Sequence, residues 1–181
     1  MKIQDHTYKV KGLGYTVRSA VEKDAYALSE LRLQIDGETE NLDREKGEGF
    51  IDASGFETII NADSNHPRNL FLVAEVNGRL VGFSRCEGTD LKRFSHKVAF
   101  GIGILKEFWG YGIGKHLMRE CISWADANGI KKIALEVTET NDNAIKLYEK
   151  LGFEVEGELK NDKLLSDGKY YNTIVMGRFN D

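Results

Sequence analysis

Phe100-Gly-Ile-Gly-Ile-Leu-Lys-Glu-Phe-Trp-Gly-Tyr-Gly-Ile-Gly-Lys115 runs from a strand-like segment through a glycine-rich turn straight into a helix. Val98 to Leu105 is short and mostly apolar, the composition of a buried strand. Ile113, Leu117, Cys121, Trp124 and Ala125 then recur at helical spacing, and Gly129 supplies a stop. Between strand and helix, Gly110, Gly112 and Gly114 leave the backbone uncovered where the helix begins, so several N–H groups can converge on one anion. Such a turn suits a phosphate or pyrophosphate. Read alone, it is also a plain glycine-rich connection between two elements.

Two phosphate-loop patterns fail on these residues. A Walker loop needs glycine where Trp109 stands, five places before Gly114, and Ser or Thr where His116 follows Lys115. A dinucleotide fingerprint begun at Gly110 matches at Gly112 but meets Lys115 at its third glycine. The next strand also ends near Val137 without an acidic residue placed for a ribose.

A second segment narrows the reading. Ile133 to Val137 has strand character, and Asn141 to Leu151 reads as a helix with Ala144, Leu147, Tyr148 and Leu151 on one face, closed by Gly152. Taken together, Trp109 to Gly114 and the set Asn141, Ala144, Tyr148, Gly152 and Phe153 resemble the two central motifs of the GCN5-related N-acetyltransferase (GNAT) superfamily. The motif spacing is similar to that of bacterial ribosomal-protein N-terminal acetyltransferases. One departure is Trp109, which stands where the superfamily usually has Arg or Gln.

Composition narrows the classes further. The chain has 181 residues, 30% charged and 41% hydrophobic, with a net charge of −4, an ordinary soluble mixture that needs no staples. No lysine and arginine block dominates, so the electrostatic footprint of a nucleic-acid binder is missing. No apolar run approaches the length of a bilayer span, and Met1 to Asp5 lacks the apolar core of a secretory signal, so a cytoplasmic protein without membrane partners is expected. Cys86 and Cys121 sit in different apolar contexts and read as reduced packing residues. His6, His66, His96 and His116 show no metal-ligand spacing, so no metal is inferred.

In chain order, residues 1–14 read as an edge strand or N-terminal arm. Tyr15 to Arg18 follows as a strand, and Asp24 to Ile35 as a helix ended by Gly37. An acidic, glycine-punctuated loop occupies Glu38 to Gly49, and Ser54 caps a helix reaching about Asn61, before a turn at Asp63 to Asn69. Phe71 to Val76 and Arg79 to Arg85 form a hairpin around Asn77-Gly78. After the glycine turn, its helix, and the strand and helix that follow, Phe153 to Lys160 and Tyr170 to Phe179 form a last hairpin. No repeat or linker divides the chain. The expectation is a single-domain α/β fold over residues 1–181, with a mixed, largely antiparallel twisted sheet of about seven strands and flanking helices.

The resemblance implies acetyl-CoA as cosubstrate, a primary amine of a small molecule or peptide as acceptor, and direct attack in a ternary complex. It allows a homodimer. Backbone at Ile102, Gly103 and Ile104 is implied to bind the pantetheine arm. Trp109, Gly110, Tyr111, Gly112, Ile113, Gly114 and Lys115 are implied at the pyrophosphate, and Asn141 also at the cofactor. Tyr148 resembles the tyrosine that protonates the leaving thiolate. Without the resemblance it is an amphipathic core residue. Glu136, twelve positions before Tyr148, matches the spacing of a glutamate base in the ribosomal-protein acetyltransferases; the other reading is a strand-end carboxylate facing solvent or paired to a lysine such as Lys131. Carboxylates in the loop from Glu38, with Glu38 first, favour a cationic acceptor. A non-catalytic coenzyme A-binding module of the same fold is the alternative, and a nucleotide-dependent oxidoreductase is disfavoured by the failed fingerprint.

Overall fold

The computed structural model describes residues 1–181. In chain order the elements are β1 (His6–Val10), β2 (Leu13–Ser19), α1 (Ala25–Glu38), α2 (Ala53–Asn65), β3 (Leu70–Val76), β4 (Arg79–Glu87) and β5 (Lys97–Ile104). They continue with α3 (Ile113–Ala127), β6 (Lys132–Thr138), α4 (Asp142–Lys150), β7 (Glu154–Leu164) and β8 (Tyr170–Phe179). One sheet of eight strands runs β1-β2-β3-β4-β5-β6-β8-β7, antiparallel throughout except for β5 beside β6. The expected seven becomes eight because residues 6–10, read as an edge strand or arm, pair fully with β2. The Asn77-Gly78 turn forms with φ of 48° and 80°, the positive pair that a two-residue hairpin of the sheet's own twist requires.

Helices cover both faces of the sheet. Phe83 and Arg85 of β4 point toward α1 and α2, where Arg85 meets Asp63, whereas Ser84 points the other way, with its Oγ 3.5 Å from Cys121 Sγ of α3. The connections β5–α3–β6 and β6–α4–β7 both join parallel strands and advance across the sheet in the same direction. Right-handed crossovers therefore put α3 and α4 on the same face. The predicted stripe Ile113, Leu117, Cys121, Trp124 and Ala125 is buried along α3.

Three local expectations are corrected. Gly37 does not end α1: it sits inside the last turn, and the missing side chain leaves room for the Lys46 stem, whose Cδ would be 3.0 Å from a Cβ there. The cap of α2 is Asp52 rather than Ser54, its carboxylate accepting the Gly55 N–H at 2.8 Å. That helix also continues to Asn65, until Pro67 forces His66 into extended backbone (φ −92°, ψ 129°). Cys86 in β4 and Cys121 on the α3 stripe lie in a strand and a helix as read, and they meet where the two elements pack. Both are buried and free, and hydrogen bonding to Cys121, with burial, pushes the Cys86 thiol well above its ordinary value. They are inert packing groups.

The α2 side of the sheet is pinned by one buried carboxylate. Asp63, 1% exposed, accepts Arg85 Nε at 2.6 Å, Arg85 Nη2 at 3.0 Å and Asn69 Nδ2 at 2.7 Å. Asp63→Ala leaves the partly buried Arg85 guanidinium with only the exposed Glu87 as partner, and we expect a loss of about 2–4 kcal/mol in urea-unfolding stability.

Candidate active site

Strands β5 and β6 begin side by side and then part. Their parallel register holds for only three residues, Lys97 to Ala99 opposite Lys132 to Ala134, while each strand stays paired to its other neighbour. On β4, Leu105 N–H donates to the Val81 carbonyl at 2.9 Å, and antiparallel bonding alternates from there. Gly101 and Gly103 thus spend their backbone groups on β4, while those of Phe100, Ile102 and Ile104 face the gap. Ile102 and Ile104 therefore lie on a strand edge that β6 leaves unfilled. Gly103 offers no backbone group to the gap, and its part is steric, a Cβ there meeting the Phe83 ring at 3.1 Å and Ile35 at 3.4 Å.

At the end of that edge lies the glycine turn. Gly110 (φ 83°) and Gly112 (φ 77°) adopt the left-handed backbone that side chains disfavour. His116 N–H, bonded to the Gly112 carbonyl at 3.0 Å, is the first paired donor of α3, so the N–H groups from Gly110 to Lys115 have no backbone partner. They form an anion cradle aligned with the helix dipole. Gly114 lets α3 lie close on β5, a Cβ there being 3.2 Å from Ile104 Cδ1. Trp109 is 44% exposed rather than packed, and its indole N–H donates to the Ile104 carbonyl at 2.9 Å. Tyr15, which carries no local signal of a functional role, also reaches this turn. Its hydroxyl donates to the Tyr111 carbonyl at 3.0 Å and lies 2.6 Å from His116 Nδ1.

Glu136 and Tyr148 lie on opposite faces of the sheet. Val98 pairs with Ile133, so Ile133, Leu135 and Val137 are buried under α3 and α4, while Glu136 and Thr138 face the α1 side. Glu136 is exposed, and the lysine bridge on this strand runs from Lys132 to Glu156 (2.6 Å) rather than between Lys131 and Glu136. Tyr148, on α4, is 7% exposed, and burial pushes its phenol up to about 12. Its hydroxyl has no protein partner yet is not sealed off; only Arg68 Nε and Trp124 Nε1 are both buried and unpartnered.

On the Glu136 face, a cleft of about 800 Å³ opens between the α1–α2 loop and the β7–β8 hairpin. Seven carboxylates and three cations line it, so its field is negative. Lys163 ties it together, reaching Asp43 at 2.7 Å and Thr138 Oγ1 of β6 at 3.0 Å. Glu38 lines the same cleft, but both its oxygens are engaged, one by Lys106 N–H at 2.8 Å and one by Gln34 Nε2 at 2.9 Å. It holds the start of the glycine turn to the end of α1. No group of three or more His, Cys, Asp and Glu side chains is placed to hold a metal ion, and no helix is long and apolar enough to cross a membrane.

A parted parallel strand pair with a glycine cradle at its end can hold an extended ligand that ends in phosphates. The acetyltransferase (GNAT) family model matches residues 36–153, and the chain belongs to that family. An acetyltransferase of Pectobacterium atrosepticum is 40% identical over 115 residues, 63% of this chain and 79% of that protein. The crystal structure of a GNAT-family acetyltransferase from Streptococcus pneumoniae superposes with a TM-score of 0.89 at 28% identity, covering 92% of this chain and 99% of that one. A putative acetyltransferase from Salmonella typhimurium, solved with acetyl-CoA, shares the fold with a TM-score of 0.81 at 20% identity, covering 92% and 94% of the two chains.

Asn141 precedes α4 but makes no side-chain cap, so its amide is uncommitted in the protein. Asn141→Ala should therefore lower thermal stability by less than about 0.5 kcal/mol, below the roughly 1 kcal/mol of a bonded cap. Calorimetric unfolding measures the difference.

Proposed function

We propose that the chain transfers an acetyl group from acetyl-CoA to a primary amine carried by a cationic small molecule or a basic peptide end, by direct attack in a ternary complex. The observation that carries this reading is the open β5 edge, with Glu136 and the acidic cleft on one side of the sheet and Tyr148 on the other. The thioester, when bound, supplies an activated acetyl group and a thiolate leaving group. All other steps belong to the chain's own residues.

The backbone of Ile102 and Ile104 orients the pantetheine arm as a missing strand does, with Trp109 holding the Ile104 carbonyl in place. The N–H groups from Gly110 to Lys115 hold the pyrophosphate, and Lys115 adds charge beside them. Asn141 has a free amide to contribute to the same molecule. The residues present thus fit the donor.

Two protons must move. A lysine-like amine, pKa about 10.4, costs roughly 4–5 kcal/mol to deprotonate at pH 7, and an α-amine near 8 only about 1 kcal/mol. Glu136, exposed and unpaired on the cleft side, accepts that proton directly or through water. Tyr148 faces the second problem. With its phenol at about 12 against a thiol near 8.5, complete proton donation is uphill by roughly 5 kcal/mol. Its role is therefore a hydrogen bond to the departing sulfur, made by a group that stays protonated.

The test is thiol release from acetyl-CoA with a panel of amines: a polyamine, an aminoglycoside, a basic peptide and a neutral amine. Release with the cationic amines, reduced about tenfold or more by Tyr148→Phe and by Glu136→Gln, is the expected result. Donor binding without release from any amine would sink the catalytic reading.

A pH profile adds a separate check. A raised phenol pKa favours the folded, protonated form, so the contribution of Tyr148 is complete below its ordinary value near 10 and fades only as pH climbs toward about 12. Between pH 6 and 9.5, kcat/KM should rise with deprotonation of the acceptor and show no falling limb from Tyr148.

A further inference from the structure

The turn joining β1 to β2 carries an unusual residue. Lys11 and Gly12 have φ of 50° and 81°, matching Asn77 (48°) and Gly78 (80°) in the turn between β3 and β4. Asparagine tolerates the first position of such a turn, whereas lysine there is strained. The chain thus uses the favourable residue at one turn and an unfavourable one at the other. A local rule broken in this way points to a role for the side chain.

The position of the amine supplies that role. Lys11 Nζ lies 4.0 Å from where a Cβ on Gly110 would stand, beside the unpartnered N–H groups of the glycine turn. The lysine is exposed and has no ion-pair partner. Other residues fix the hairpin at this spot. Tyr15 bonds to the Tyr111 carbonyl, the Tyr8 ring stacks on His116 at 3.8 Å, and Tyr8 O–H and His6 both reach Glu120 of α3. None of those contacts needs a lysine in the turn.

We propose that Lys11 is a phosphate-binding residue of the acetyl donor's site, its ammonium pairing with the phosphate oxygens that the glycine turn cradles. It supplies the side-chain contact that Trp109 does not, the Trp109 indole N–H being committed to Ile104. The inference rests on the acetyl-CoA reading above and adds the β1–β2 hairpin to that site.

Coenzyme A itself, titrated by calorimetry, tests this without turnover. Lys11→Asn restores the turn's favoured residue and should raise the Kd for coenzyme A about five- to twentyfold, the effect of one partly exposed charge-assisted contact. Its melting temperature should stay equal or rise, which separates the loss from structural damage. Lys11→Arg should keep the affinity of the wild type. Pantetheine, which lacks the phosphates and is followed by NMR titration, should bind Lys11→Asn and wild type alike. A deficit that persists with 3′-dephospho-coenzyme A supports pairing with the cradled pyrophosphate, and one that disappears overturns it, because the contact is then to the 3′-phosphate. Equal coenzyme A affinity in wild type and Lys11→Asn overturns the role of Lys11 and leaves the acetyl-CoA reading intact. An equal loss for pantetheine also overturns it, because the effect then does not pass through phosphate. Failure of the wild type to bind coenzyme A overturns both.

Discussion

The parting of β5 from β6 is what the other features of the site depend on. Backbone N–H and C=O groups inside a sheet are ordinarily all paired, and a buried one left alone costs on the order of 1–3 kcal/mol. After Ala99 and Ala134 the two strands no longer satisfy each other, yet each remains anchored to its outer neighbour, so the gap is held open by paired strands on both sides. Trp109 takes up one of the freed acceptors at Ile104, and solvent or a ligand must take the rest.

In the proposed reaction, that opening is what brings the glycine turn and the two ionisable candidates to one ligand. The edge of β5 runs directly into the turn, so a ligand bonded along the strand meets the anion cradle at its end. Side-chain alternation on β6 then sends Glu136 to the α1 face while Leu135 and Val137 go under α3 and α4. A molecule lying in the gap is reached from the acidic cleft on one side and from the helix carrying Tyr148 on the other.

Much of the fold was legible because its signals are local. The Asn77-Gly78 turn, the α3 stripe and the run into the glycine turn each depend on residues close in sequence, and each forms as read. Errors arose where a distant group overrode a local preference. Gly37 has the look of a helix stop, but its bare position is used by Lys46 crossing from the next loop. The last turn of α2 reads as a polar loop until Asp63 is seen to carry Arg85 and Asn69. The same limit governs the site. Its glycine turn is a contiguous pattern, whereas the bond from Tyr15 to Tyr111 spans 96 residues and leaves no trace in either segment alone. Glu38 was legible as an acidic residue at the right loop, but not as one with both oxygens held by the protein.

The acidic cleft sets up two opposed effects on an amine acceptor. Carboxylates that attract a cation also stabilise its protonated form, and so raise the cost of producing the free amine that attacks. Part of the field is already spent inside the protein, since Asp36 pairs with Arg44 and Asp43 with Lys163. What remains favours binding over deprotonation, and a single lysine-like amine carries the full burden of about 4–5 kcal/mol at pH 7. A molecule with several positive charges resolves the conflict. Its other charges answer the cleft, while their mutual repulsion lowers the pKa of the amine that reacts. An α-amine on a basic peptide resolves it similarly, because its pKa near 8 starts about two units lower. In the proposed reaction, the charge of the cleft and the proton demand on a base at Glu136 therefore both favour multiply charged acceptors over an isolated aliphatic amine.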